Sequence, residues 1–418
     1  MTTEECVSEH ILVTGGAGFI GTHLCAALLE RGAHVTAVDS LTAGLLPALA
    51  RLRQHKRFSL IEHDITVPLD WESQVSAVVH LASPIGPAHV RDHPVRTLMA
   101  GSVGTVNALE IARRHRARIV VMSSAEVYGD PPVQPQAETY SGNVDPTGPM
   151  SGYQEAKRFL EAMTMAYRRE YDVNTGIIRP FNVYGPGMLA SDRRVVAAFV
   201  AAALAGQELV VNGPHAVRSL CYVDDFVKGL IAMMESDAAG PINLGAPEGT
   251  AIGYLAELVV STVGTGTVRV GQSPETGGAA RCPGIGLARG TLNWEPSTPL
   301  DDGIRATADS MRAMLESRAA VAFDVPSAWM ALIPDGFGLE CRADSVRTAL
   351  KWLTDGCPAL APRILSPAGE LVPWTNVYLA RDNIRHLDGL DTVLTGDVIL
   401  TALPALPALP ALPALAGG

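Results

Sequence analysis

Short apolar runs that alternate with helical patterns dominate the first part of the chain. The first run is residues 11–14, and a helical pattern over residues 22–31 separates it from a second run at residues 33–38. Further runs follow at residues 58–62, 78–83 and 119–122. Runs of this length without strict alternation are typical of strands buried in a parallel sheet. The pattern therefore predicts an α/β fold.

Three glycines connect the first predicted strand to the first predicted helix. Gly15 permits a tight turn, Gly18 lets the backbone approach a pyrophosphate, and Gly21 lets the helix pack closely on the strand. The N-terminus of this helix then faces the phosphates. A glycine pattern placed between a strand and a helix predicts a dinucleotide-binding site.

Two acidic residues extend this predicted site. Asp39 ends the second strand, where it would accept hydrogen bonds from the adenosine ribose and repel a 2′-phosphate. The site therefore favours NAD over NADP. Asp64 follows the third strand and is placed to meet the adenine amino group, with a turn-capping role as the alternative. The other predicted cofactor-binding residues lie beside these positions: Phe19, Ile20, Ile65, Leu81, Ala82 and Ser83.

A candidate catalytic group follows the strand at residues 119–122. Tyr153 and Lys157 are four residues apart, so they share one face of a helix. A tyrosine ordinarily ionises near pH ~10. A nearby ammonium and a positively charged cofactor would favour the phenolate, which makes Tyr153 a base toward a substrate hydroxyl. Ser124 would share the hydrogen bond to that hydroxyl, and Lys157 would also hold the nicotinamide ribose.

Residues 9 to about 315 resemble the extended short-chain dehydrogenase/reductase family, and within it the UDP-glucuronate decarboxylases, or UDP-xylose synthases. The resemblance rests on motifs that occur in order along the chain. These are residues 80–84, 126–131, 148–149, 153–158, 181–186, 192–196, 218–225 and 243–245. It implies a Rossmann-type parallel sheet with a small substrate subdomain, mainly residues 180–300, within a first domain of residues 1–315.

The resemblance also implies a reaction. The C4 hydroxyl of UDP-glucuronate is oxidised with NAD as hydride acceptor, the resulting β-keto acid loses CO₂, and return of the hydride gives UDP-xylose. Glu126 corresponds to the family's acidic residue near C5. The resemblance assigns substrate binding to a further set of residues: Pro84, Asn182, Arg194, Arg218, Tyr222 and Arg281. It also implies a homodimer formed through helices at about residues 101–115 and 151–171.

Related reactions of the family are distinguished by a few positions. The 4,6-dehydratases carry an aspartate where this chain has Ala125, and the 4-epimerases generally lack the glutamate found here as Glu126. Decarboxylation is therefore favoured, and 4-epimerisation of a UDP-sugar or UDP-uronate is the alternative. Gly187 and Gly284 stand where the family carries larger polar residues. Release of a UDP-4-keto-pentose is consequently a second possible outcome.

Residues 321–418 resemble the ubiquitin-like sulfur carriers, the small subunit of molybdopterin synthase and the thiamine sulfur carrier. The motifs include residues 369–371, 376–378, 387–392 and 396–397, and the terminal Gly417-Gly418. The resemblance implies an α+β, β-grasp domain whose Gly418 is adenylated by an activating enzyme and converted to a thiocarboxylate by a sulfur donor. Such a carrier would serve the synthesis of a thiosugar or another sulfur-containing metabolite. Docking or oligomerisation without sulfur transfer is one alternative, and conjugation to other proteins is another.

Two connecting segments complete the predicted organisation. A linker is expected around residues 301–320, between the two domains. Residues 402–413 are four copies of Ala-Leu-Pro. Proline at every third residue forbids a regular helix and matches polyproline II. The repeat is interpreted either as a semi-rigid arm for the terminus or as a product of replication slippage.

Composition narrows the class of partners. The net charge of −11 without a sustained basic run argues against nucleic-acid binding. Uninterrupted apolar stretches of about 20 residues are missing, which argues against a membrane span. The polar first ten residues do not form a signal peptide. The six cysteines form no C-x-x-C pair, so no metal site is expected and a cytoplasmic location is predicted.

Overall fold

The computed structural model describes residues 9–41, 47–84, 87–271, 281–316, 318–394 and 398–404. The chain divides into two compact units, Met1–Arg312 and Ala313–Gly418. The terminal Gly417-Gly418, the turn at residues 396–397 and most of the Ala-Leu-Pro repeat lie outside the described residues. Within the described part, no helix is long and apolar enough to cross a membrane.

The apolar runs of the first unit form strands as predicted. The strands of this unit are β1 His10–Thr14, β2 His34–Asp39, β3 Phe58–Glu62, β4 Ala77–His80, β5 Arg118–Met122, β6 Thr175–Pro180, β7 Val183–Tyr184, β8 Glu208–Val211, β9 Val217–Ser219, β10 Cys221–Tyr222, β11 Ile242–Leu244, β12 Gly249–Ala251 and β13 Thr267–Val270. Strands β1, β2, β4 and β5 are buried almost throughout. Burial on both faces explains why their sequences are continuous apolar runs.

The helices of the first unit occupy the connections between these strands. They are α1 Phe19–Glu30, α2 Pro47–Leu52, α3 Pro87–Asp92, α4 Pro94–Met99, α5 Thr105–His115, α6 Ser151–Tyr171, α7 Val195–Leu204, α8 Val223–Glu235, α9 Ile252–Val263, α10 Gly286–Leu292 and α11 Leu300–Glu316. A π-helical turn, Ala100–Gly104, joins α4 to α5. A 3₁₀ turn, Ala125–Tyr128, follows β5.

The main sheet of the described residues has seven strands in the order β11-β6-β5-β4-β1-β2-β3. All neighbouring pairs are parallel. One apolar layer packs α1 and α8 on the sheet, and a second packs α5 and α6. This arrangement confirms the predicted α/β fold. The strand order reverses between β1 and β4, and ligands of such folds bind at the carboxyl ends of the strands at this point.

The predicted linker around residues 301–320 is wrong, because α11 occupies Leu300–Glu316. Ile304, Ala308 and Met311 are buried along one face of this helix. These apolar positions follow the helical period of 3.6 residues. Asp301 and Asp302, which looked like linker residues, lie in the first turn, where negative charge stabilises a helix.

The described residues of the second unit form a mixed sheet, three α-helices and two 3₁₀ turns, Ile384–His386 and Gly389–Asp391. Its strands are β14 Ala319–Asp324, β15 Glu340–Ala343, β16 Thr375–Leu379, β17 Asp382–Asn383 and β18 Val398–Pro404, and its helices are α12 Ser327–Met330, α13 Val346–Gly356 and α14 Ala361–Ile364. The strand order is β15-β14-β18-β16-β17. The first strand, β14, is parallel to the last, β18, and antiparallel to β15. The Ser345 hydroxyl caps α13 by accepting from the Thr348 N–H.

The polyproline II prediction is wrong for the first Ala-Leu-Pro copy. Residues 402–404 belong to β18, where Ala402 pairs with Val377 and Leu403 with Asn376. Strand pairing supplies backbone hydrogen bonds that polyproline II lacks. Pro404 is the last residue of the strand, where a missing N–H interrupts no further pairing.

Candidate active site

The glycine turn after β1 has no room for side chains. Gly15 has φ +72°, and a Cβ there would lie 2.7 Å from the Ala82 nitrogen. A Cβ on Gly21 would lie 2.2 Å from the Gly15 carbonyl oxygen. Gly18 is the N-cap residue of α1. The turn therefore leaves a bare backbone cradle at a helix N-terminus, which fits the pyrophosphate of a dinucleotide.

The two predicted acidic residues have different surroundings. The Asp39 carboxylate accepts from the Ala17 N–H at 3.1 Å and from the Leu41 N–H at 2.9 Å, so it is fixed beside the glycine turn. Asp64 caps its own turn by accepting from the N–H and hydroxyl of Thr66. These bonds lower the pKa of Asp64, the backbone bond from Thr66 contributing most. The turn-capping alternative for Asp64 thus describes its contacts in this structure.

The remaining predicted cofactor residues surround the same cradle. Leu81 is buried and donates its N–H to the Thr14 carbonyl, while Ile65 is buried against Gly104. Phe19 and Ile20 begin α1, and the guanidinium of Arg194 lies 5.1 Å from the Phe19 ring centre. Ser83 donates to the Pro84 carbonyl at 3.4 Å. This bond links Pro84 to a predicted cofactor-binding residue and gives no support to its predicted role in substrate binding.

His80 is a buried residue of this region whose role the sequence did not reveal. Its Nδ1 lies 2.7 Å from the Thr14 hydroxyl, and its Nε2 lies 3.4 Å from the Thr105 hydroxyl. Burial lowers the pKa of His80 to about 3, so the ring is neutral at physiological pH. The ring therefore joins the end of β1 to α5 by uncharged hydrogen bonds.

The three predicted catalytic residues Ser124, Tyr153 and Lys157 come together at the carboxyl end of β5. A side-chain hydrogen bond joins Ser124 to Tyr153. Lys157 is buried, donates to the Met122 carbonyl at 2.8 Å, and has its ammonium 5.7 Å from the Tyr153 ring centre. The hydroxyl, the phenol and the ammonium thus form one group at the end of β5.

The expected stabilisation of the Tyr153 phenolate is not supplied by the protein alone. Burial raises the pKa of Tyr153 to about 12, although the bond from Ser124 opposes the change. Burial also lowers the pKa of Lys157 to about 8. Both shifts have the same cause, because a low-dielectric site disfavours whichever form is charged.

Glu126 is paired with a residue that is distant in sequence. Its Oε1 forms an ion pair with the guanidinium of Arg281, and its Oε2 accepts from Gln154 at 3.1 Å. Arg281 also donates to the Gly129 carbonyl at 3.2 Å. Burial lowers the pKa of the nearby Arg218, and the positive charge of Arg281 adds to this effect. The predicted acid and one predicted substrate-binding arginine thus form a single cluster.

A cleft of about 360 Å³ lies beside this cluster and contains three predicted substrate-binding residues, Asn182, Arg194 and Arg218. Arg193 also lines it, a residue of the 192–196 motif for which the sequence predicted no role of its own. The rest of the lining is mostly apolar. It includes Val183, Tyr184, Met188, Val195, Val196, Leu220 and Ile252. Cationic side chains beside an apolar lining suit a ligand that combines phosphate groups with an aromatic base.

Asn182, Arg194 and Tyr222 make further contacts in and around the cleft. The Asn182 amide donates to the Ser219 carbonyl at 2.9 Å, and Arg194 is paired with Asp192. Tyr222 packs edge-on against Tyr184, with ring centres 5.9 Å apart. Tyr222 thus stands behind a lining residue of the cleft.

Comparisons with known proteins fit this arrangement. Residues 11–245 match a family model described as the NAD dependent epimerase/dehydratase family. The chain is 40% identical over 313 residues to UDP-glucuronic acid decarboxylase 1 of Xenopus tropicalis, and the match covers 74% of each protein. It is 41% identical over 308 residues to UDP-glucuronic acid decarboxylase 6 of Arabidopsis thaliana, covering 73% of this chain and 89% of that protein.

A solved structure extends the comparison to the fold. A mutant UDP-glucuronic acid 4-epimerase from Bacillus cereus, in complex with a fluorinated UDP-glucuronic acid and NAD, has a TM-score of 0.64 to this chain. The two are 25% identical, and the match covers 73% of this chain and 99% of that one.

Proposed function

Because the chain belongs to the NAD dependent epimerase/dehydratase family, we propose that it decarboxylates UDP-glucuronate through a 4-keto intermediate. The product is UDP-xylose or a UDP-4-keto-pentose. One observation carries the proposal: Glu126, paired with Arg281, stands beside the Ser124, Tyr153 and Lys157 group. The chain is an NAD-dependent enzyme similar to the UDP-glucuronic acid decarboxylases.

The first task of the site is to remove a proton from the sugar hydroxyl. The bare glycine cradle and the Asp39 carboxylate would hold NAD, which when bound accepts a hydride from the carbon that bears this hydroxyl. Ser124 orients the hydroxyl, and Tyr153 takes its proton as the general base. Lys157 offsets part of the cost of forming a buried phenolate, because its positive charge lies on the same helix face as Tyr153.

The second task is to release CO₂ from the resulting β-keto acid. The C5–carboxylate bond breaks, and its electron pair moves toward the C4 carbonyl, which leaves an enolate that is protonated at C5. Arg281 would supply a cation for the substrate carboxylate. Glu126, after taking up a proton from solvent, would be the acid that protonates C5. Ala125 offers no acid to expel the C6 hydroxyl of a hexose, so the 4,6-dehydratase reaction is disfavoured.

The cleft supplies the remaining binding energy. Arg193, Arg194 and Arg218 line it and would meet the two phosphates of a UDP group. The apolar lining would contact the uracil. This assignment makes the nucleotide the anchor that places the sugar between the cleft and the glycine cradle.

The main alternative is 4-epimerisation, which uses the same base and cofactor but keeps the carboxylate. Incubation of the purified protein with UDP-glucuronate and NAD, followed by NMR of the sugar products, separates the two reactions. The proposal predicts UDP-xylose or UDP-4-keto-pentose. UDP-galacturonate as the product would support the epimerase instead.

The reaction is expected to show a pH dependence set by Lys157. The pKa of Tyr153 is raised to about 12, so its phenolate fraction grows with pH across the neutral range. The pKa of Lys157 is lowered to about 8, so its ammonium is present below that pH and is lost above it. We therefore expect kcat/KM to rise with pH and to level off near pH 8.

Replacement by arginine tests this assignment. Lys157→Arg keeps a cation that does not titrate in this range. Its kcat/KM, although lower, should keep rising past the pH at which the wild-type curve levels off. A break that stays in place in Lys157→Arg would mean that another group causes it.

We further propose that the enzyme unit forms a homodimer through a helix patch. The patch is defined by Val95, Leu98 and Met99 on α4 and Phe159 on α6. Val95 is 71% and Phe159 41% exposed, so both helices present large apolar side chains to solvent that a second copy could cover. Pro94 lies close to Gly152, so α4 packs against the first turn of α6. The occupant that the family resemblance suggests is a second copy.

Sedimentation velocity tests this interface. Phe159→Glu buries a charge in the patch and should shift the protein from dimer to monomer. Val133→Glu, at an exposed apolar residue outside the patch, should leave the dimer intact. A wild-type monomer, or a dimeric Phe159→Glu variant, would contradict the proposed interface.

For the second unit we propose a β-grasp sulfur carrier that serves thiosugar or related sulfur-metabolite synthesis. Its strand order, with the first and last strands parallel at the centre of the sheet and α13 after β15, supports this fold.

Incubation with ATP, an activating enzyme of the ubiquitin type and a sulfur donor should replace one terminal oxygen of Gly418 by sulfur, which intact-mass spectrometry detects. An amide link from Gly418 to another protein would instead favour conjugation. Failure of both would leave docking or oligomerisation as the role of this unit.

We place the enzyme in the cytoplasm. The cysteines in the described part of the chain are all free: Cys25, Cys221, Cys282, Cys341 and Cys357. Free thiols in both units are typical of a reducing compartment. Fractionation of the native cells with an antibody to the protein tests this location.

A further inference from the structure

A continuous chain of buried hydrogen bonds joins the catalytic helix to the segment that carries Arg281. It begins at Glu161, about two turns after Tyr153 on α6. The Arg179 guanidinium donates to both carboxylate oxygens of Glu161, from Nε at 2.8 Å and from Nη2 at 2.7 Å. A bidentate pair of this kind fixes orientation as well as distance. Ser123, next to Ser124, donates to the same carboxylate at 2.6 Å.

Tyr128 is the next member of this chain. Its hydroxyl accepts from Arg179 Nη1 at 2.9 Å, and the guanidinium lies 4.8 Å from the centre of its ring. The same hydroxyl donates to Asn243 Oδ1 at 2.7 Å. Burial raises the pKa of Tyr128, so the proton that it donates stays in place.

Asn243 completes the chain by binding the backbone near Arg281. Its amide nitrogen donates to the Gly284 carbonyl at 3.1 Å and to the Gln136 carbonyl at 3.0 Å. Gly284 in turn donates its N–H to the Gln136 carbonyl at 2.8 Å. Asn243 thus ties the segment 281–284 to the loop that precedes α6. Gly284, which it binds, is three residues after Arg281, the partner of Glu126.

We propose that Tyr128 and Asn243 are positioning residues that set the place of Arg281 against Glu126. Both side chains are essentially inaccessible to solvent, 1% and 0% exposed, so they act on Arg281 rather than on the substrate. The chain also gives the Tyr153 helix and the Arg281 segment a common rigid support. This inference rests on the proposed decarboxylation, in which Arg281 and Glu126 act together.

Asn243→Asp tests the proposal with little change in side-chain shape. The carboxylate still accepts from Tyr128, but it loses both donated bonds and faces two carbonyl oxygens. A displacement of about 1 Å in a catalytic group can cost roughly 100-fold in rate. We expect kcat for CO₂ release to fall by about that factor, while KM for UDP-glucuronate, set by the cleft, changes little. Thr164→Val, which removes a buried hydroxyl bonded to Leu160 on the same helix, should keep the wild-type rate.

A double-mutant cycle separates positioning from general destabilisation. If Asn243 acts through Arg281, adding Asn243→Asp to Arg281→Lys should cause little further loss. Losses that multiply would overturn the proposal. Should Asn243→Asp fail to fold, Tyr128→Phe, which removes one hydroxyl, enters the same cycle with the same expectation.

The outcomes also distinguish this inference from the proposed function. A wild-type protein that releases no CO₂ from UDP-glucuronate removes the proposed function and the inference with it. An active wild-type protein together with a fully active Asn243→Asp variant removes the positioning role alone.

Discussion

Tyr153→Phe is expected to lower kcat by about a factor of 10³, within the range typical of a lost general acid–base group. The substitution removes the oxygen that accepts the hydroxyl proton, and Ser124 and Lys157 stay in place. Neither remaining group is a suitable base, because a serine hydroxyl is too weak and the lysine is an ammonium below pH 8. NAD binding, measured by calorimetry, should change far less than the rate.

A matched tyrosine on the same helix provides the control. Tyr171 is at the far end of α6 and half exposed. Tyr171→Phe should therefore turn over like the wild type. A Tyr153→Phe variant within tenfold of the wild-type rate would assign the proton transfer to a different group.

Glu126→Gln is expected to lower the rate of CO₂ release by about 100-fold or more. The variant keeps the shape of the side chain but removes the charge that pairs with Arg281 and the carboxyl group that would take up a proton and pass it to C5. The first oxidation depends on Ser124, Tyr153 and Lys157, so it should stay within tenfold of wild type. Single-turnover absorbance of the nicotinamide follows this oxidation, and trapped CO₂ follows the second step.

Glu155 offers a control for this charge change. It is partly exposed on α6 and lies 3.7 Å from Arg158. Glu155→Gln should release CO₂ at the wild-type rate. Equal slowing of both steps in Glu126→Gln would contradict a role confined to decarboxylation, and undiminished CO₂ release would remove Glu126 from the chemistry.

Local sequence signals predicted the sheet and much of the site. Gly15 and Gly21 were identifiable because close backbone packing excludes every side chain, a requirement that acts at single positions. Tyr153 and Lys157 were identifiable because one helical turn sets their spacing. Such signals depend on neighbouring residues and are therefore visible without the fold.

Long-range contacts explain what the sequence did not show. Glu126 and Arg281 are 155 positions apart, and their ion pair exists only because β5 and the segment after residue 280 meet in the fold. The chain through Tyr128 and Asn243 has the same origin. Helix spacing also says nothing about burial, which raises the pKa of Tyr153 in the protein alone. Strand pairing likewise outweighed the proline pattern at residues 402–404.

The measurement that tests the central proposal most directly uses UDP-glucuronate labelled at the carboxyl carbon. The wild-type protein is incubated with this substrate and NAD, and the label is followed in the gas phase and in the nucleotide sugar. Decarboxylation predicts one labelled CO₂ for each sugar consumed, together with an unlabelled UDP-pentose. Label that stays in the sugar, as unchanged substrate or as UDP-galacturonate, would contradict it.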